Sequence, residues 1–132
     1  MKTQQSGFTL IELIAVIVIL GILAATALPK FVDLSDAAAQ AAVDGVAGSL
    51  SSGASMNYAN AVAISSGVIS GTAKVVVAKC SDTKGVLQGG VLPTGYSFTG
   101  ADTAVAALGD SAPCTLTGKD SKTATFQTIG VP

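Results

Sequence analysis

The chain has no histidine, no arginine and no tryptophan, and its single glutamate is Glu12. Without histidine, the side chain that ordinarily titrates near neutral pH is missing, so general acid–base chemistry has no usual agent. The aspartates fall in loop and surface contexts without a pairing motif, the serines have no base partner, and Gly89-Gly90 lacks both P-loop spacing and its Lys-Ser/Thr ending. An enzyme is therefore not expected, and no cofactor is implied. Seven basic residues against eight acidic ones leave a net charge of −1, which argues against a dedicated nucleic-acid surface, where basic residues cluster. Cys80 and Cys114 are the only cysteines, too few to complete a zinc site without histidine. Asp82, Asp102, Asp110 and Asp120 have no EF-type spacing, so no metal is expected; a calcium site on loops is the alternative they leave open.

What the chain does have is one long apolar run, Gly7 to Leu28, reading GFTLIELIAVIVILGILAATAL, with Glu12 as its only charge. From Phe8 to Leu28 it has the residues a helix needs to cross a bilayer core of roughly 30 Å at about 1.5 Å per residue. A carboxylate in hydrocarbon costs at least about 2.5–3.5 kcal/mol, so Glu12 is a functional candidate that needs compensation. Gly21 and Pro29 bracket part of this run. Pro29 lacks an N–H and crowds the carbonyl of Ala25, while Gly21 weakens a helix by up to about 1 kcal/mol relative to alanine. Together they mark a segment predisposed to unwind. An ordinary secretory signal is the rival reading, supported by the A-x-A pattern Ala25-Thr26-Ala27. Against it stand the length of the run, Glu12 inside it, and an n-region with only Lys2.

The short polar leader Met1 to Gly7, followed by Phe8-Thr9-Leu10-Ile11-Glu12-Leu13 and the apolar run, resembles the class III signal of type IV prepilins and pseudopilins. The passage Pro29 to Leu34, PKFVDL, is similar to mannose-sensitive haemagglutinin-type pilins. The resemblance covers Met1 to about Leu34. It implies a type IVa pilin: a membrane-embedded prepilin peptidase cuts between Gly7 and Phe8 and methylates the new amino-terminal Phe8. It further implies that Glu12 of an incoming subunit docks on Phe8 of its predecessor, and that the stretch between Gly21 and Pro29 melts on leaving the membrane. The physical basis is charge pairing: once the leader is gone, the α-amino group of Phe8 is a cation one helical turn from Glu12, and pairing offsets desolvation. The implied partners are other pilin subunits in a homopolymer, the prepilin peptidase, the assembly platform with minor pilins, and the membrane before assembly. The implied location is the bacterial inner membrane as a single-pass precursor, then an extracellular pilus for adhesion or twitching motility.

Beyond Lys30 the pattern becomes one-sided. Val32, Ala39, Val43, Val46, Leu50 and Ala54 recur at threes and fours while Asp33, Asp36, Gln40 and Asp44 sit largely off that stripe, predicting an amphipathic helix to about Tyr58. Gly45, Gly48 and Gly53 weaken it, so packing through close approach is expected to hold it. Ala61 to Thr72 reads as a loop. Strands are expected at Lys74–Lys79, Val86–Leu92, Tyr96–Thr99, Cys114–Thr117 and Thr123–Ile129, with a hairpin turn at Gly118-Lys119-Asp120-Ser121 and a helical turn or loop at Ala101–Leu108. An exported pair of thiols predicts a Cys80–Cys114 disulfide. The expected fold class is α+β, the pilin fold: a long amino-terminal helix, half membrane-spanning and half amphipathic, on a roughly four-stranded antiparallel sheet. The expected organisation is a leader at 1–7, a membrane and filament-core helix at 8–28, the amphipathic half at 29–60, and a loop, sheet and disulfide-bounded region at 61–132. A type II secretion pseudopilin, or a monomeric membrane-anchored binding domain, remain alternatives.

Overall fold

The computed structural model describes residues 7–71 and 73–132. One helix, α1 (Leu10–Ser65), is followed by a 3₁₀ segment (Cys80–Val86), a short turn (Gln88–Gly90), and three strands: β1 (Ser97–Thr99), β2 (Ser111–Thr117) and β3 (Thr123–Ile129). The chain forms two compact units, Met1–Ala37 and Ala38–Pro132.

In the second unit, a three-stranded antiparallel sheet in the order β1-β2-β3 packs on the later part of α1. Alternation writes the sheet: Ala112, Cys114 and Leu116 of β2 and Phe126 and Thr128 of β3 are buried, while Ser111, Pro113, Thr123, Thr125 and Gln127 face water. Register places Cys114 opposite Phe126 and Leu116 opposite both Ala124 and Phe98. Val43, Ala47 and Leu50 of α1 fill the space above them, and burial of Leu50, Leu116 and Phe126 contributes about 1.5–3 kcal/mol each. A second cluster gathers Val77, Val105 and Ala112.

The buried stripe of α1 is Val43, Ala47, Leu50, Ala54, Asn57 and Ala61, and the helix runs seven residues past Tyr58 to Ser65. Gly53 serves close approach as expected: a Cβ there would lie 2.6 Å from Cγ2 of Val86. Gly45 and Gly48 do not, since added Cβ atoms there meet nothing within 4 Å.

The sheet has three strands, not four. Lys74–Lys79 forms no ladder, only the isolated bridges Val77↔Val131 and Lys79↔Ala104. The pairing groups of Val75 are taken up by α1. Asn57 of α1 donates from Nδ2 to the Val75 carbonyl (2.7 Å) and accepts from the Val75 N–H (2.8 Å), so a side-chain amide stands where a strand would. Asn60 donates to the Ala73 carbonyl. Val86–Leu92 fails as a strand because Gly89 and Gly90 take φ of 82° and 70°, turning the chain instead. The β2–β3 hairpin closes where expected, with Asp120 (φ 55°) and Ser121 (φ 57°) both left-handed.

Cys80 and Cys114 form the expected disulfide, 5.8 Å between Cα atoms, tying the start of the 3₁₀ segment to the middle strand. Beside it, Asp102 accepts from Lys79 Nζ (2.9 Å), from the Ser81 N–H (2.8 Å) and from Ser81 Oγ (2.9 Å). The Lys79 bond, followed by the Ser81 amide, holds the Asp102 carboxyl below the usual range, and the same bond raises Lys79. The 101–108 segment is irregular, anchored by buried Val105, whose N–H donates to the Ala78 carbonyl.

Candidate assembly site at the amino-terminal end of the helix

In the first unit, every side chain from Phe8 to Leu34 is exposed. Phe8 is 92 % exposed, and Leu10, Ile11, Leu13, Ile17, Leu20, Ile22, Leu23 and Leu28 follow it. Among the described residues this is one helix long and apolar enough to cross a membrane, and none of its most apolar window is buried within the protein. Such a surface is stable only against lipid or against other apolar surfaces.

The charge within it is held locally. Thr9 precedes the first helical residue, Leu10, and Glu12 lies three residues after Thr9. The Glu12 carboxylate accepts from the Thr9 N–H (2.8 Å) and from Thr9 Oγ1 (2.7 Å), while the Glu12 N–H donates to Thr9 Oγ1 (3.3 Å). This reciprocal pair is a capping box, satisfying amides that the first turn of a helix leaves without partners. With Gly7 still joined to Phe8, the Phe8 nitrogen is a peptide amide rather than a cation, and the partner of Glu12 is Thr9. The role of Thr9 escaped the sequence reading, although Thr-x-x-Glu at the start of an apolar run is the signature that marks it.

The other candidate residues fall at two further places. Gly21 and Pro29 both lie inside α1, which continues through them. Between them Thr26 Oγ1 donates to the carbonyls of Leu23 (3.0 Å) and Ile22 (3.3 Å). Cys80 and Cys114 lie in the second unit, bonded to each other. Met1–Ser6, the remainder of the expected leader, lie outside the described residues. Among the described residues, no three His, Cys, Asp or Glu side chains group as metal ligands.

Residues 2–28 match the family model of the prokaryotic N-terminal methylation motif. A 49-residue stretch is 59 % identical to the type IV narrow pilus major component PilA5 of Thermus thermophilus, covering 37 % of this chain and 42 % of that protein. The match thus spans less than half the length of that relative. No solved structure matches the chain. The amino-terminal segment therefore carries a methylation-motif sequence shared with a pilus component.

Proposed function

We propose that the chain is a subunit of a type IV pilus, stored in the membrane by α1 and polymerised through it. The observation that carries this reading is the methylation motif over residues 2–28, in which every apolar side chain from Phe8 to Leu28 is exposed. In the proposed sequence of events, prepilin peptidase cuts between Gly7 and Phe8 and the new amino group of Phe8 is methylated. The cut converts an amide into a cation next to the capping box. Glu12, until then held by two donors of Thr9, gains a charged partner at the end of a neighbouring subunit's helix. Pairing in an apolar medium fixes axial register, because neither charge bears desolvation alone. The apolar side chains of successive subunits then cover one another, and the stretch between Gly21 and Pro29 unwinds as the helix leaves the lipid. The filament carries the 38–132 unit, closed by its disulfide, to the cell surface, where adhesion or motility would be exerted.

Filament yield from cells expressing Glu12→Ala tests the docking step: insertion into the membrane persists and surface filaments are lost. Normal filaments from that variant refute the role of Glu12. For processing, Gly7→Leu leaves the leader attached, and a mass spectrum of a chain beginning at Phe8 in that variant would count against the cut site.

A further inference from the structure

Thr26 is the only hydroxyl-bearing side chain from Leu10 to Leu34. It falls between Gly21 and Pro29, and its Oγ1 donates to two carbonyls of the preceding turn, Leu23 O at 3.0 Å and Ile22 O at 3.3 Å. Both carbonyls are also the acceptors that the helix assigns to the amides of Ala27 and Thr26. One turn later, Pro29 supplies no amide to Ala25, so the segment already lacks one helical bond.

We infer that Thr26 is a positioning residue for the unwinding of the 22–28 segment, a built-in donor that stays with the Ile22 and Leu23 carbonyls when their amides leave. The inference rests on the unwinding proposed above. In an apolar medium a freed carbonyl without a donor is expensive, and a nearby Ser or Thr hydroxyl is one of the few groups able to replace the lost amide. In the closed helix the same hydroxyl competes with those amides, which loosens the turn slightly. Both effects lower the free-energy difference between wound and unwound states. Gly21 adds backbone freedom, Pro29 removes a bond, and Thr26 holds the acceptors that opening exposes. Valine has the same β-branched shape and nearly the same helix propensity as threonine, so Thr26→Val removes the hydroxyl with little other change.

The test is amide hydrogen exchange of the full-length precursor in detergent micelles, followed at residues 22–28 for the parent, Thr26→Val, Thr26→Ser and Pro29→Ala. Expected is exchange about three- to ten-fold slower in Thr26→Val, the equivalent of about one net hydrogen bond, with Thr26→Ser close to the parent and Pro29→Ala slowed as well. If Pro29→Ala slows exchange and Thr26→Val leaves it unchanged or faster, the inference about Thr26 is wrong while the unwinding segment stands. If Pro29→Ala leaves exchange unchanged, the unwinding segment itself is refuted and the role of Thr26 falls with it.

Discussion

Replacing Asn57 by alanine removes the side-chain amide with which α1 takes the place of a strand for Val75. Two hydrogen bonds of 2.7 and 2.8 Å are lost. Each is worth about 1 kcal/mol net, and a buried polar group left unpaired costs about 1–3 kcal/mol. Val75 is half-buried, so water reaches its freed groups in part, and the expected loss for the 38–132 unit is about 2–4 kcal/mol. Aspartate at the same position separates hydrogen bonding from volume. One carboxylate oxygen still accepts from the Val75 N–H, but the other faces the Val75 carbonyl, acceptor against acceptor with no proton between them. That contact and burial both raise the carboxyl's pKa in the folded state, so the folded protein binds protons more readily than the unfolded chain. Asn57→Asp is accordingly weakest at neutral pH and recovers stability as pH falls toward the ordinary carboxyl value of about 3.9. Urea unfolding of the full chain in micelles measures this through tyrosine fluorescence. Tyr58 and Tyr96 are the only tyrosines, both lie in the unit concerned, and no tryptophan masks them. A loss below about 0.5 kcal/mol for Asn57→Ala, the range of ordinary surface changes, or a stability of Asn57→Asp that does not change with pH, would refute the account.

Other perturbations follow from the same geometry. Opening the disulfide, by reduction or by Cys80→Ala with Cys114→Ala, removes a link across a sequence separation of 34 and is expected to cost about 3–4 kcal/mol, read as a lower urea midpoint. Ser121→Gly relieves a left-handed serine in the β2–β3 turn and should raise the thermal midpoint, by the equivalent of about 0.5–1 kcal/mol; a lowered midpoint would contradict it. Asp102→Asn removes a carboxyl whose folded pKa lies below its unfolded value. The stability that the parent gains from Asp102 is therefore complete above about pH 4 and disappears as pH falls through the folded value. The difference between parent and variant, followed from neutral to acid pH, should shrink, and a constant difference would sink the assignment.

The apolar run, the helix and the disulfide were legible because each follows from residue chemistry along the chain: continuous hydrophobicity, a period near 3.6, and two thiols with no other ligand available. β3 and most of β2 were legible for a similar reason, since Thr123–Ile129 alternates and a turn sequence precedes it. The failure at Lys74–Lys79 has a specific cause. Three consecutive valines score as a strand wherever they occur, but what decides a strand is a partner, and here Asn57, eighteen residues earlier, occupies that place. Val86–Leu92 erred by treating Gly89 and Gly90 as an interruption, where their positive φ turns the chain outright. At the candidate site, Glu12 stood out because a charge in hydrocarbon is conspicuous. Thr9 is common in helices and strands alike, and only its spacing to Glu12 reveals the box.

The outer margin of β3 is not open. Gln40 donates to the Thr123 carbonyl (2.9 Å) and Ser51 Oγ accepts from the Gln127 N–H (3.2 Å), so two polar side chains of the protein's own helix occupy groups that a foreign strand would need. An unguarded sheet margin is an invitation to indiscriminate stacking, above all for molecules crowded shoulder to shoulder. Recruiting another chain along β3 would first require prying these clasps away from the helix. Head-to-head growth by strand addition is thus obstructed on that flank.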